Sequence, residues 1–411
     1  MSDASQTAGL ISVLVGLMLL ILAVPVATLL VQVLAACLPS AGQPLPRATH
    51  RPRLALLIPA HNEAVGLAAT LQTALAQLEA GDRLLVVADN CTDRTAEVAR
   101  SAGVEVSERH HATERGKGYA LDHGLNALLA SGQPPEVLIM IDADCQLAPD
   151  AIDLLARTCM ALKLPVQADY AMQLPVDFEQ SGLRQRIAGF AWAVKNSLRP
   201  RGSARLGAPC LLTGTGMAFP WESLAGVSLA SGHIVEDMKL GLDLAAIGRA
   251  PRYLAQARVW SYFAPEDASR GNQRTRWEHG HLSTLIHELP TLLRAAWQRR
   301  DVGLIYLAAD LAVPPLALLV MALSSVTAAA GVLAWVAPSV SLTGTVAFLG
   351  MIELTLLGLG VLIAWHKVGR SWLAGHELLA APLYALRKIP IYLQFVIKRQ
   401  SNWVRARRDG E

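Results

Sequence analysis

The sequence lacks the motifs that identify several common classes of protein. It contains no G-x-x-x-x-G-K-[ST] motif, which argues against a P-loop NTPase, and no G-x-G-x-x-G follows its first predicted strand, so a dinucleotide-binding fold is unsupported. Its five cysteines form no C-x-x-C pair, and neither a disulfide framework nor a zinc site is indicated. The net charge is only +3, and the basic clusters lie beside apolar segments. This distribution favours anionic membrane lipids over nucleic acid as a partner.

Charged residues are also absent from Ala4 to Pro46, and there the chain is strongly apolar. Leu10–Leu38 is long enough to span a bilayer, and no basic residue precedes it, so we expect a retained anchor rather than a cleaved signal peptide. Two further spans are predicted at Leu311–Ala337 and Leu342–Trp365. Basic residues follow the first span, precede the second and follow the third. The positive-inside rule therefore predicts an external N-terminus and a cytoplasmic domain between the first two spans.

The segment Ser371–Ile397 is apolar but carries charged residues and two prolines. If it crossed the membrane, the basic tail Lys398–Arg408 would lie outside, against the charge rule. We therefore expect amphipathic helices that lie in the cytoplasmic interface.

Between Arg51 and Asp144, short apolar runs alternate with helical patterns, which predicts a wound, mostly parallel α/β sheet. The predicted strands are Arg53–Ile58, Arg83–Ala88, Val104–Val106 and Glu136–Ile141, and the predicted helices are Glu63–Leu78, Thr92–Ser101 and Lys117–Leu129. The carboxyl ends of parallel strands meet at one edge of a sheet, where ligands bind. Polar clusters follow all four strands, so we expect a binding site at this edge.

The fourth strand ends in Asp142-Ala143-Asp144, whose two carboxylates leave the same side of an extended chain. Such a pair suits a hard divalent cation, Mg²⁺ or Mn²⁺, that bridges to a phosphate. A solvated acidic turn is the alternative interpretation. Lys117, between two glycines, suits close approach of the backbone to an anion; an exposed lysine at a helix start is the alternative.

Beyond Asp144 the pattern predicts two strands and three helical segments. The strands are Val166–Gln173 and Leu211–Phe219; the helical segments are Ser181–Leu198, Ile234–Ile247 and Gln273–Arg300. The carboxylates of Glu236 and Asp237 open the second helical segment. They are either helix caps or, beside a donor site, candidates for a general base.

Five segments, in this order, resemble membrane-integrated family 2 glycosyltransferases: the cellulose, chitin, hyaluronan and poly-N-acetylglucosamine synthases and the nodulation chitooligosaccharide synthases. The segments are Pro59–Glu63, Ala88–Asn90, Asp142-Ala143-Asp144, Glu236-Asp237 and Gln273-x-x-Arg276-Trp277. The resemblance implies a cytoplasmic GT-A domain, a Rossmann-like α/β fold with a mostly parallel sheet, flanked by transmembrane and amphipathic interface helices. It also implies inverting transfer of a sugar from a nucleotide-diphosphate donor, usually UDP-linked.

The resemblance also implies roles for individual residues. Donor-binding residues would be Pro59, His61, Glu63, Asp89, Lys117, Asp142, Asp144, Gln273, Arg276 and Trp277. Acceptor-binding residues would be Thr213, Gly214, Glu236 and Trp277. Asp144, with Asp142, would bind the divalent cation. Asp237 would be the catalytic base, and Arg276 would neutralise the leaving diphosphate.

The chain departs from the family pattern in two respects. The second strand ends in Asp89-Asn90 rather than in a pair of acids, and only three clear spans are present. Addition of sugars to an exopolysaccharide or lipid-linked saccharide acceptor at the bacterial inner membrane is therefore the first hypothesis. A processive synthase that also secretes its polymer, with an oligomer or export partners completing the channel, is the alternative. A non-catalytic nucleotide-sugar-binding subunit is a further, less favoured alternative.

These predictions divide the chain into five parts. They are a transmembrane anchor (1–48), the glycosyltransferase domain (49–270), a lid and interface helix (271–300), two transmembrane helices (301–370), and interfacial helices with a basic tail (371–411).

Overall fold

The computed structural model describes residues 3–39, 45–174, 182–227, 229–230, 235–263 and 267–397, with the backbone alone for 3–4 and 267–274. The strands are β1 (Leu54–Ala60), β2 (Arg83–Asp89), β3 (Glu105–Arg109), β4 (Val137–Met140), β5 (Gln146–Leu147), β6 (Val166–Gln173), β7 (Met217–Pro220) and β8 (Arg252–Tyr262). The helices are α1 (Asp3–Cys37), α2 (Leu67–Leu75), α3 (Thr95–Ser101), α4 (Lys117–Ala130), α5 (Ala151–Leu162), α6 (Leu183–Ala193), α7 (Arg199–Arg205), α8 (Glu236–Ala246), α9 (Asp267–Arg299), α10 (Val302–Leu311), α11 (Leu316–Val336), α12 (Ser341–Ala364), α13 (Ala381–Leu386) and α14 (Ile389–Ile397).

The first four strands form the parallel half of the sheet, in the order β3-β2-β1-β4. Apolar residues on both faces explain why these runs form central strands. Leu54, Leu56 and Ile58 pack into a core on one face, whereas Ala55 and Leu57 pack into a core on the other. The predicted wound, mostly parallel sheet is thus confirmed.

The second half of the sheet is mixed. β7 pairs antiparallel with β4 and β6, β8 pairs parallel with β6, and β5 closes the edge antiparallel to β8. The predicted strand Leu211–Phe219 is wrong over its first six residues, and only Met217–Pro220 is a strand. Gly214 and Gly216 have positive φ, which turns the preceding segment into a loop at the carboxyl end of β4.

Among the residues that the structure describes, three helical segments are long and apolar enough to cross a membrane: Ser5–Cys37, Leu316–Val336 and Ser341–Gly369. They match the three predicted spans and pack together through a separate apolar cluster, which also includes Ile187 and Phe190 of α6. The Ser371–Ile397 region instead forms short helices, the longest being the nine-residue α14. Nine residues extend about 13 Å, too short to cross an apolar layer of about 30 Å.

Two helical predictions beyond Asp144 need adjustment. The segment predicted over Ser181–Leu198 is α6 followed by a π-helical turn, Val194–Leu198, and then α7. α9 begins at Asp267, six residues before the predicted start. Ser181, Ile234 and the tail Lys398–Arg408 lie outside the described residues.

Candidate active site

A cavity of about 820 Å³ lies at the carboxyl ends of the central strands. It brings together every predicted site residue whose side chain is described. These are Pro59, His61, Glu63, Asp89, Lys117, Asp142, Asp144, Thr213, Gly214, Glu236, Asp237, Arg276 and Trp277. The side chain of Gln273 lies outside the described part of the structure. Segments distant in sequence thus share one cleft, as expected when the carboxyl ends of parallel strands meet at one edge of a sheet.

The loops after β1 and β2 form one wall of the cavity. His61 Nδ1 lies 2.6 Å from the carbonyl oxygen of Asp89, and the Glu63 N–H donates to Thr95 Oγ1 at 2.7 Å. Asp89 is almost fully buried, and its Oδ1 accepts hydrogen bonds from Arg109 at 2.8 Å and from the Asn90 amide at 3.0 Å. These bonds fix the orientation of Asp89, the predicted nucleoside contact.

Lys117, the first residue of α4, lies at the centre of the site. Its ammonium forms an ion pair with Asp142, donates to the Gly214 carbonyl at 2.6 Å and lies 3.9 Å from Glu236 Oε1. Burial alone would lower the pKa of Lys117, but the negative charges of Asp142, Glu236 and Asp237 more than offset it and raise that pKa. Lys117 is therefore a permanent positive charge here, and its low exposure and its ion pair with Asp142 disfavour its interpretation as an exposed lysine.

Several carboxylates share this cavity. Burial raises the pKa of Asp142 and of Asp237, and Lys117 only partly opposes the shift. Burial also raises the pKa of Glu236, to about 7. Carboxylates held close together and out of water repel one another unless cations balance them. The arrangement therefore favours binding of positive charge at the Asp142 end, and it permits a carboxylate to exchange a proton near neutral pH.

The acidic pair fits the predicted divalent cation. Asp142, Asp144 and Cys145 have potential ligand atoms within 4.8 Å of one another. Carboxylate oxygens suit Mg²⁺ or Mn²⁺, whereas burial raises the pKa of the Cys145 thiol well above its usual range, which keeps it protonated. The Ser261 hydroxyl donates to Asp144 Oδ2 at 3.1 Å and helps to orient that side chain. The two aspartates are therefore the residues that could hold the ion.

Two residues that the sequence did not indicate set the geometry of this region. The buried Gln167 side chain accepts a hydrogen bond from the Thr213 N–H at 2.9 Å and donates to the Thr215 carbonyl at 2.9 Å. The Thr215 hydroxyl in turn accepts from the Asp142 N–H at 3.0 Å. Glycine spacing signals the turn, but nothing in the sequence signals that Gln167 would support it.

α9 places Arg276 and Trp277 over the cavity. The Arg276 Nε has no hydrogen-bond partner among the described residues. Burial lowers the pKa of Arg276, although the carboxylates of Glu236, Asp142 and Asp237 oppose the shift. The Trp277 ring lies 4.8 Å, between centroids, from Trp192, whose edge packs on Tyr170 at 5.2 Å. The helix therefore presents a cation and an aromatic wall to whatever the cavity holds.

The other end of the cavity reaches the predicted membrane helices. Arg199 lines it and donates to Asp310 Oδ1 at 2.6 Å and to Gln32 Oε1 at 2.8 Å. Gln32 belongs to α1, and Asp310 lies six residues before α11. Gly202 packs so closely on the backbone of Gln32 that a Cβ there would overlap it. The cavity thus extends from the acidic pair to the ends of helices that could span a bilayer.

Solved structures of other proteins align with this chain to different extents. The chain aligns along 91% of its length, at 17% identity and a TM-score of 0.54, with 98% of a mannosyltransferase from Pyrobaculum calidifontis solved with GDP-Man and Mn²⁺. A glucosyl-3-phosphoglycerate synthase from Mycobacterium tuberculosis, solved with Mn²⁺, UDP and phosphoglyceric acid, aligns over 58% of this chain and 87% of its own, at 19% identity and a TM-score of 0.38. No curated protein sequence matches significantly.

The first of these structures supports the predicted GT-A architecture with flanking apolar helices. A family model described as "Glycosyltransferase like family 2" matches residues 52–280, more than half of the chain and all of the β1–β8 sheet. The protein therefore belongs to glycosyltransferase family 2.

Proposed function

We propose that this protein is a membrane-embedded, metal-dependent inverting glycosyltransferase. It transfers a sugar from a nucleotide-diphosphate donor, with a UDP-sugar as the first candidate, to a growing exopolysaccharide or lipid-linked saccharide. The observation that carries the proposal is the convergence of Asp144, Asp237 and Arg276 on one cavity. An acid pair, a candidate base and a cation are the groups that direct displacement at an anomeric carbon requires.

The donor binds, in this proposal, at the β1–β4 side of the cavity. The loops at Pro59–Glu63 and Asp89 hold the nucleoside, and Asp142 and Asp144 hold Mg²⁺ or Mn²⁺. The bound ion supplies positive charge that stabilises the departing diphosphate. Arg276 supplies a second positive charge and has a nitrogen without a partner among the described residues. Preorganised charge of this kind usually lowers the barrier of an enzymatic reaction more than any other single effect.

Asp237 acts on the acceptor side as the general base. Its carboxylate lies near Gly214 and Lys117, within the same cavity as the acid pair. It removes the proton from the attacking hydroxyl as the new glycosidic bond forms and the bond to the diphosphate breaks, which inverts the anomeric centre. Lys117 stabilises the ionised form of Asp237 electrostatically. No covalent intermediate is needed.

The position of the cavity supports an acceptor that is held at the membrane. Its far end is lined by Arg199 and Asp310, which hydrogen-bond to the predicted membrane helix α1 through Gln32. We place the protein, as a multi-pass protein, in the bacterial inner membrane, with its N-terminus outside and the catalytic domain in the cytoplasm. A lipid-linked saccharide could then reach Asp237 without leaving the membrane surface. Longer polymers would need an oligomer or export partners.

The test uses the full chain, purified in lipid nanodiscs. A panel of radiolabelled nucleotide sugars is supplied with Mg²⁺ or Mn²⁺, and both donor hydrolysis and transfer to extracted membrane lipids are measured. We expect one donor to be turned over, with loss of activity in EDTA and in Asp144→Asn. Asp150→Asn, a change of the same type in an exposed turn, should leave the rate unchanged.

Two results would contradict the proposal. Turnover of no nucleotide sugar, with nucleotide binding intact, would indicate the non-catalytic subunit instead. A long water-soluble polymer as the product would favour the processive synthase.

A further inference from the structure

Lys195 is a cation of the cavity that lacks a counter-ion. Lys117 is paired with Asp142, and Arg199 is paired with Asp310. Among the described residues, by contrast, Lys195 has no hydrogen bond and no carboxylate at ion-pair distance; only longer-range charges act on it. Burial lowers the pKa of Lys195. Lys195 is half-buried, and a partly desolvated charge without a partner is costly, so such groups are normally paired.

Asn196, the next residue, also has an unused donor. Asn196 lines the cavity and is only 3% exposed, yet its Nδ2 finds no acceptor within the described ranges. Both residues lie on the π-helical turn Val194–Leu198 between α6 and α7. Such turns within helices occur frequently at functional sites. Two adjacent donors without acceptors therefore indicate a ligand that supplies acceptor atoms and negative charge.

The electrostatic neighbours of Lys195 overlap only in part with those of Arg276, the proposed donor-binding cation. Arg276 interacts with Glu236, Asp142, Asp237 and Asp144. Lys195 also interacts with Asp237 and, in addition, with Glu278, Arg199 and Asp310, the last two of which extend toward the predicted membrane helices. An anion beside Lys195 would therefore belong to the molecule that approaches Asp237 from the membrane side.

We propose that Lys195 and Asn196 bind a phosphate group of the acceptor and thereby place its nucleophilic hydroxyl at Asp237. The ammonium supplies the charge and the amide supplies a hydrogen bond, while Arg276 remains available for the donor diphosphate. Only the naming of this ligand as the acceptor rests on the proposed function. The phosphate comes from a lipid headgroup or from a soluble phosphate ester, and the two sources can be distinguished.

The experiment measures phosphate binding, so it needs no turnover. The full chain in phosphatidylcholine nanodiscs is saturated with UDP and Mg²⁺, which occupies the donor side, and inorganic phosphate is titrated calorimetrically. We expect saturable binding that weakens at least tenfold in Lys195→Met and is largely restored in Lys195→Arg. Asn196→Asp should weaken it as well, through charge repulsion. Lys163→Met, the same charge change at an exposed position outside the cavity, should bind like the unaltered protein.

A second arm identifies the source of the phosphate. If phosphatidic acid in the nanodiscs abolishes the inorganic phosphate signal, the group is a lipid headgroup; if the signal persists, it is a soluble ester. Absence of phosphate binding, or equal binding in Lys195→Met, would overturn the inference. So would a Lys195→Met protein that loses UDP affinity instead, because Lys195 would then serve the donor. Sugar transfer without phosphate binding would leave the proposed function standing and reject this inference alone.

Discussion

At the scale of single residues, the most specific prediction concerns Asp237. Asp237→Asn preserves shape but cannot accept a proton, so we expect the transfer rate to fall by roughly 10²- to 10⁴-fold, with donor affinity nearly unchanged. Asp243→Asn, on the same helix but paired with Lys239 away from the acid pair, is the matched control. Initial rates and UDP binding should be compared for the two variants. Retention of full transfer activity by Asp237→Asn would exclude it as the base.

The activity should also depend on pH, because Asp237 must be ionised to act as the base. Burial raises the pKa of Asp237 and raises that of its neighbour Glu236 to about 7. A base is active only when unprotonated, so kcat/KM should rise with pH through this raised pKa and then level off. The profile should be measured from about pH 5 to about pH 9 at saturating metal ion. A flat profile over that range would show that no carboxylate of raised pKa limits the reaction.

Substitution of Gly214 distinguishes the effect of packing at the site from the effect of backbone strain. Its φ is +96°, and a Cβ there would lie 3.3 Å from Asp237 Oδ2 and 3.6 Å from Lys117 Nζ. Gly226 also has positive φ, but a Cβ there would meet nothing within 4 Å. Alanine at either position should cost roughly 1–3 kcal/mol of stability, whereas only Gly214→Ala should lose most of its activity. Thermal unfolding and transfer rates, measured together, would show whether the two effects separate.

At the scale of elements, α9, which contains the predicted lid, is held by the C-terminal helices. Lys388 forms an ion pair with Glu278, and His279 Nε2 lies 2.8 Å from the Ile391 carbonyl oxygen. Glu278 follows Arg276 and Trp277 directly, so this contact positions both. Lys388→Met should therefore lower kcat on the order of 10- to 100-fold, whereas the adjacent, exposed Arg387→Met should not. Equal rates in the two variants would contradict a role for the C-terminal helices.

The elements also show what the sequence could predict. Strands β1, β2 and β4 are apolar on both faces, so their existence follows from composition, and their alternation with helices predicts parallel pairing; their order in the sheet comes from the structure. Glu63–Leu78 shortens to Leu67–Leu75, and the residues before this helix form a loop whose Glu63 and Ala64 N–H groups donate to the side chains of Thr95 and Asp93. Such bonds join loops from different strands, and no local pattern encodes them. For the same reason the sequence indicated the acid pair but neither Gln167 nor Lys195.

At the scale of the whole molecule, the glycosyltransferase domain and the predicted membrane helices meet through a buried polar network. Gln32 of α1 bonds to Asp310 of α10 at 2.6 Å and to Arg199 of α7 at 2.8 Å, and all three residues are buried. Burying an ion pair costs desolvation free energy, which is recovered only when both partners remain. The network therefore specifies how the domain packs against α1. It adds little to the free energy of unfolding beyond what an apolar contact of the same shape would contribute.

This view predicts strong coupling between Arg199 and Asp310. Arg199→Met or Asp310→Leu alone leaves an unpaired buried charge and should destabilise the protein by about 3–5 kcal/mol, seen as a lower apparent Tm in nanodiscs. The double variant should recover most of that loss, because no unpaired charge remains. Arg201→Met, on the same helix and without an ion pair in the described part of the chain, should change little. If the losses of stability in the double variant were additive, the two side chains would act independently. Apolar packing alone would then hold the domain to the predicted membrane helices.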